Sequence, residues 1–103
     1  MSEQGDSNIY RSSAASEHIH KTTRRFWANY RRLPAYVQRL ADKQFQLLKE
    51  NPRHPSLNFK KLEGHDYWSV RVTRGYRAVA FEDNEGFVWF SIGKHDAIYE
   101  SLI

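Results

Sequence analysis

Arg71 and Arg77 stand out because the residues around them set the two guanidinium groups face to face. Trp68, Val70 and Val72 alternate with Ser69, Arg71 and Thr73, and Tyr76, Ala78 and Ala80 alternate with Arg77, Val79 and Phe81. Alternation with period two marks a pair of half-buried strands. Between them, Thr73-Arg74-Gly75 fits a three-residue hairpin loop whose last position takes a positive φ and suits glycine. That register sets Val72 opposite Tyr76, Val70 opposite Ala78 and Trp68 opposite Ala80 on one apolar face, and Arg71 opposite Arg77 on the other. A two-residue loop would pair Arg71 with Ala78 and drop Arg77 among the valines, so burial favours the longer loop. Like charges facing each other across a strand pair are destabilising, and a chain that keeps them there implies an anion to hold. The chemistry this suits is attack at a phosphate. Arginine stabilises the extra charge on a pentacovalent phosphorane, and histidine or tyrosine moves protons. In RNA the neighbouring 2′-hydroxyl is a built-in nucleophile.

Further cations lie within reach of that face. Lys60 and Lys61 precede the arginine hairpin, and strand alternation sends one of them to the arginine side. Lys94 and His95 leave the end of the last apolar run. Strands adjacent in sequence order would gather these groups on one concave basic surface; the alternative is a solvated sheet face with ordinary surface cations. His18 and His20, with the dipeptides His65-Asp66 and His95-Asp96, suggest metal phosphohydrolase motifs. Both dipeptides fall in or beside turns and lack further ligands on helices, so no metal or other cofactor is expected, and His65-Asp66 reads as turn chemistry. Trp68, Trp89, Phe59, Phe87 and Phe90 alternate as core residues do, with Phe87 the one most open to stacking on a base.

The elements that must carry these groups follow from pattern. Residues 1–17 hold few apolar side chains and read as a disordered tail, with Ile9 and Tyr10 too isolated to nucleate structure. His18–Thr22 is a short edge strand. Thr23 caps a basic helix with Phe26, Tyr30 and Leu33 at helical spacing, ending before Pro34. Pro34 opens a second helix whose stripe Val37, Leu40, Ala41, Gln44, Phe45 and Leu48 faces the core and which Pro52 stops. The short connection makes the two a helical hairpin or bent pair. Leu57–Leu62 reads as a strand, Glu63–Asp66 and Glu82–Gly86 as turns, and Phe87–Ile92 as a strand apolar on both faces and therefore central, with Gly93 ending it. A short amphipathic segment with Ile98, Tyr99 and Leu102 follows. The last four strands form a meander, and the class is α+β with helices on one face of the sheet.

At 103 residues the chain is one domain, 18–103, with a single modest core. It has no cysteine, which excludes thiolate catalysis, disulfides and cysteine-based zinc sites. The net charge of +4 favours a polyanion or an acidic protein segment as partner. The polar, acid-bearing start is not a signal peptide, and no apolar run approaches the roughly 18 residues of a membrane span. A cytoplasmic protein with no membrane partner is expected.

From about His18 to Ile103 the chain resembles toxins of the RelE/ParE superfamily from bacterial toxin–antitoxin pairs. The resemblance is most specific in FKKLEGHDYWSVRVTRGYRAVAF and WFSIGKHDAIY, and extends to TTRRFWANYRRLPAYVQRLADKQFQLL and HPSLNFKKL. It implies two N-terminal helices packed on one face of a small, twisted, mainly antiparallel sheet. In the RelE-like branch it implies metal-free, ribosome-dependent cleavage of messenger RNA by 2′-hydroxyl attack, and neutralisation by a cognate antitoxin. By position, Arg77 matches the arginine that stabilises the transition-state phosphate, and Arg71 a cation for nucleophile and phosphate. His95 matches a second cationic or acid–base residue, and Tyr99 the C-terminal tyrosine that stacks on the base. Lys60, Lys61 and Lys94 would bind RNA. Ser69 stands where the best-known pattern has lysine, and Tyr99 lies closer to His95 than the corresponding pair. The ParE-like branch, which inhibits DNA gyrase, and a non-catalytic antitoxin-binding relative are the alternatives.

Overall fold

A computed structural model describes residues 9–11 and 19–101, with side chains left aside at 9–11 and 101. Helix α1 (Arg24–Arg31) begins where the sequence places it: Thr23 is the N-cap, and its hydroxyl accepts from the Phe26 amide at 3.1 Å. Pro34 sits one residue outside helix α2 (Ala35–Glu50), because its extended ψ of 148° precedes the first turn instead of joining it. α2 buries Val37, Ala41 and Leu48, a narrower stripe than expected, and Leu40 stays 37% exposed. Gln44 serves the backbone instead of the core, donating to the carbonyls of Ser56 (3.2 Å) and Arg71 (2.8 Å). Tyr30 Oη donates to Asp42 (2.8 Å) and Gln38 to the Tyr30 carbonyl (2.9 Å), which ties the two helices into a hairpin.

Six strands make one sheet: β1 (Ile9–Arg11), β2 (Ile19–Thr22), β3 (Lys60–Lys61), β4 (Tyr67–Thr73), β5 (Tyr76–Glu82) and β6 (Gly86–Lys94), in the order β1-β2-β6-β5-β4-β3. The antiparallel meander from β3 to β6 is as expected, and β6 is central. Two expectations at the N-terminal end are corrected. β2 is not an edge strand: it runs parallel to β6, Thr22 beside Trp89, and is flanked by β1. Ile9–Arg11, thought too isolated to form structure, is that flanking strand, since backbone pairing to an open edge needs no apolar side chains. The rest of 1–17 lies outside the described residues.

Four further corrections are local. The expected strand Leu57–Leu62 shrinks to Lys60–Lys61, because Pro55–Leu57 turns as a 3₁₀ helix closed by Asn58 at φ 44°, with Leu57 fully buried. In the hairpin Val72 does not face Tyr76: Thr73 does, and a bulge between Arg71 and Thr73 restores Arg71 opposite Arg77. Gly75 does not take a positive φ; the Thr73 hydroxyl, accepting from the Gly75 amide at 3.1 Å, closes the turn instead. Gly93 does not end β6 but pairs with Arg77, and the strand continues through Lys94.

The two faces of the sheet differ. Val70, Val72, Ala78, Ala80, Phe87, Trp89 and Ile92 meet the α1–α2 hairpin and form the core with Val37, Ala41 and Leu48. Phe87 is 2% exposed, so it is core and not the open ring expected. A second bulge, between Val79 and Ala80 on the β5–β6 ladder, places Phe90 as an extra residue of β6. Without it, residues three apart would point to opposite faces. With it, Trp89 and Ile92 both reach the core, while Phe90 and Gly93 share the other face. Helix α3 (His95–Ser101) crosses one end of that second face, where Ile98 is buried beside Gly93.

Candidate active site

The face away from the α1–α2 hairpin carries the arginine pair. Arg71 and Arg77 are directly opposed on β4 and β5, as the sequence implies, and Gly93 flanks Arg77 on β6. Having no side chain, Gly93 leaves room for Ile98 of α3, whose side chain lies 3.8 Å from where a Cβ would stand. Arg77 is half-buried, and its Nε and Nη1 are buried with no hydrogen-bond acceptor among the described residues. A buried charged donor without a partner is costly, and the part of Arg77 open to an anion is the part that lines the groove described next. Arg71 is exposed.

His95 reaches the same groove because the turn holds it there. Its backbone amide donates to the Gly75 carbonyl at 2.9 Å, fixing the start of α3 to the β4–β5 hairpin. Arg74, Gly75, Arg77, Lys94 and His95 then line one open groove together with the acids Asp96 and Glu100, while Arg71 and Tyr99 lie outside its lining. Asp96 Oδ1 lies 3.2 Å from His95 Nδ1, which leaves Nε2 as the nitrogen for a ligand. Tyr99, one helical turn on, sets its ring 4.2 Å from that of His95 and tilted by 50°. The arrangement offers two cations for a phosphate, an imidazole for proton transfer and a phenol against it.

Of the lysines, Lys60 pairs with Ser69 and so shares the arginine face. Lys61 pairs with Trp68, faces the other way and lies 3.8 Å from Asp66. Lys94 lines both this groove and a second one near Leu33 and Tyr76 on the helical side. His20 is buried among Phe45, Phe87 and Trp89, accepting from the Trp89 indole at 3.2 Å, while His65 lies exposed in the turn before β4. Among the described residues, no three His, Asp or Glu side chains are grouped to hold a metal. Sequence reasoning missed the Gly75–His95 tie and the seat that Gly93 gives Ile98. A glycine inside an apolar strand was the available signal for the second.

A family profile described as ParE-like toxin domain matches residues 35–99. No curated protein matches the sequence. Among solved structures, RelE in the RelB–RelE antitoxin–toxin complex from Methanococcus jannaschii is similar at a TM-score of 0.60 and 15% identity, covering 80% of this chain and 98% of that one. The YoeB/ParE toxin from Agrobacterium tumefaciens is similar at 0.56 and 21%, covering 72% and 94%. YafQ from E. coli strain BL21(DE3) is similar at 0.65 and 10%, covering 81% and 99%. At these identities the structures establish a shared fold, while the profile spans more than half of the sequence, arginine pair and His95–Tyr99 included. The chain therefore belongs to the ParE-like toxin family, within the RelE/ParE superfamily of toxin–antitoxin systems.

Proposed function

We propose that this toxin is an endoribonuclease that cuts messenger RNA on the ribosome, in the cytoplasm, until a cognate antitoxin neutralises it. The observation that carries this reading is Arg77, which is paired with Arg71 across the strands, lines the groove with Lys94 and His95 and has, among the described residues, no acceptor for its Nε and Nη1. A scissile phosphate held there would place its non-bridging oxygens on the donors. The charge that grows on those oxygens during 2′-hydroxyl attack is what the arginines stabilise. His95 would exchange protons with the 2′-hydroxyl or the leaving 5′-oxygen, and Tyr99 would stack against the adjacent base. The new bond joins the 2′-oxygen to phosphorus and the bond to the 5′-oxygen breaks. The products are a 2′,3′-cyclic phosphate and a 5′-hydroxyl, with no metal required. Lys60 and Lys94 would hold the flanking backbone. An antitoxin partner is supported by the family and by the M. jannaschii relative, whose structure is that of an antitoxin–toxin complex.

The ParE-like name of the matching profile favours a second reading, inhibition of DNA gyrase. One experiment separates the two: induce the protein, map messenger RNA 5′ ends and run a gyrase supercoiling assay beside them. Arrested translation with new 5′-hydroxyl ends supports the ribonuclease. Continued translation with failed supercoiling replaces it with the gyrase reading. A 3′-hydroxyl with a 5′-phosphate product would rule out 2′-hydroxyl attack.

A further inference from the structure

Beyond the arginines, the same sheet face carries a row of aromatic rings. Tyr67 on β4 is the direct partner of Phe81 on β5, and Phe90 on β6 stands against both, with ring centroids 5.2 Å from Tyr67 and 5.8 Å from Phe81. His65 extends the row, lying nearly parallel to Tyr67 at 6.1 Å and 15°. Phe81, one residue from the end of β5, is a large apolar ring left 39% exposed. Phe90 follows the core residue Trp89 and so turns to this face, as the extra residue of the β6 bulge.

We infer that Tyr67, Phe81 and Phe90 form a stacking platform for the unpaired bases of an RNA strand whose phosphate lies at Arg71 and Arg77. Charge argues for RNA as the occupant. The strand residues on this face bring Lys60, Arg71 and Arg77, one of them with unpartnered donors, and no carboxylate from β3 to β6. The acids of the β5–β6 turn, Asp83 and Glu85, are both held by Lys21, at 2.5 and 3.1 Å. Aromatic rings beside a cationic track are how proteins hold single strands without reading sequence, because every base has a π face. Arg77 and Phe81 are four residues apart on one strand, about 13 Å. That distance spans at most about four stacked nucleotides. The platform therefore takes bases next to the reacting phosphate, and it rests on the ribonuclease reading for that assignment. The apolar alternative, a patch that docks a protein partner, would need only greasy area and not rings.

The test uses the full-length protein and an all-2′-deoxy oligothymidine about eight nucleotides long, within the usual site size of single-strand binders. The oligonucleotide cannot be cleaved by 2′-hydroxyl attack, so binding is read apart from chemistry, by fluorescence anisotropy at low salt. Phe81→Leu keeps an apolar side chain on an exposed position and removes the ring. It is expected to weaken binding about 5- to 100-fold, the range for losing one base–ring stack. Phe81→Trp should bind at least as well as the parent. An oligonucleotide with abasic sites should lose affinity for the parent by a similar factor and show no difference between the parent and Phe81→Leu. Equal affinity of the parent and Phe81→Leu for the intact oligonucleotide, or no saturable binding at all, overturns the platform. So does a Phe81→Leu defect confined to protein-partner binding. A parent that binds with this ring dependence but leaves ribosome-bound message intact keeps the platform and removes the ribonuclease reading.

Discussion

At Arg77 the energetics of folding and of function point in opposite directions. Two buried donors lack acceptors, and the guanidinium faces a second one across the ladder. Removing it relieves a desolvation cost of order 1–3 kcal/mol and a repulsion of about 0.2–1 kcal/mol, set against lost packing of its aliphatic stem. Arg77→Ala is therefore expected to melt at the same temperature as the parent or higher. The same change deletes a preorganised cation and should lower ribosome-bound cleavage by about 10²–10³. A lower melting temperature with parental cleavage per folded molecule would remove Arg77 from the site. Arg71→Ala should lose less activity, because Arg71 is exposed and Lys60 shares its face. The opposed pair was legible in the sequence because alternation fixes faces and burial fixes register. The missing acceptors were not, since they depend on what packs around β5. Phe87 and Phe90 show the same limit. Alternation puts Phe87 with Trp89 and Phe90 with Ile92, and only the bulged residue sends Ile92 across to the core while Phe90 stays outside.

Elements with local signatures were readable, and those defined by distant partners were not. The Thr23 cap, the helix stop before Pro34 and the turn at Gly64 (φ 80°) depend on residues a few positions apart. Parallel pairing of β2 with β6 joins segments more than sixty residues apart and leaves no mark in either. That pairing has a sharp requirement at Gly86, the partner of Ile19, where a Cβ would lie 2.2 Å from the Ile19 carbonyl oxygen. The clash is with backbone, which cannot rotate away. Gly86→Ala should thus destabilise the protein by at least about 1–3 kcal/mol and lower its melting temperature by several degrees. An unchanged melt would show that β2 is not held as described. The helical hairpin makes a pH prediction. Burial, then the hydrogen bond and charge of Asp42, push the Tyr30 phenol up to about 12 from 10.0. A raised folded pKa means the proton is held more tightly in the folded state. This contribution is complete below about pH 10 and is lost as pH rises towards about 12. Melting temperature should fall across that window in the parent, and Tyr30→Phe should flatten the fall. An identical alkaline profile in the two would remove Tyr30 as its cause.

For the whole molecule, the buried side chains among the described residues lie between His20 and Ile98, and the first segment of the chain is described by its strand pairing. β1 contributes three backbone pairs to β2, Ile9 with Lys21, Tyr10 with His20 and Arg11 with Ile19. Each ladder hydrogen bond contributes about 0.5–1.5 kcal/mol net. Lys21 remains anchored without β1, through Asp83, whose carboxyl is held below its ordinary range chiefly by the Lys21 hydrogen bond. A chain beginning at His18 should therefore keep a single cooperative melt, shifted down by a few degrees. Its second change should be association. Removing β1 turns β2 into an open edge, a row of unpaired amides and carbonyls that templates another chain. Removing residues 1–17 takes away Glu3, Asp6, Glu17 and Arg11 and raises the net charge from +4 to +6, which slows that encounter at low salt by mutual repulsion, and added salt screens it. Light scattering of the truncated chain should accordingly rise with concentration and more steeply at higher ionic strength, while the full chain stays unchanged. A truncated chain that melts without cooperativity would show that the first seventeen residues belong to the folding unit. One that melts at the parental temperature and stays monomeric at high salt would show that β1 neither stabilises the sheet nor guards its edge.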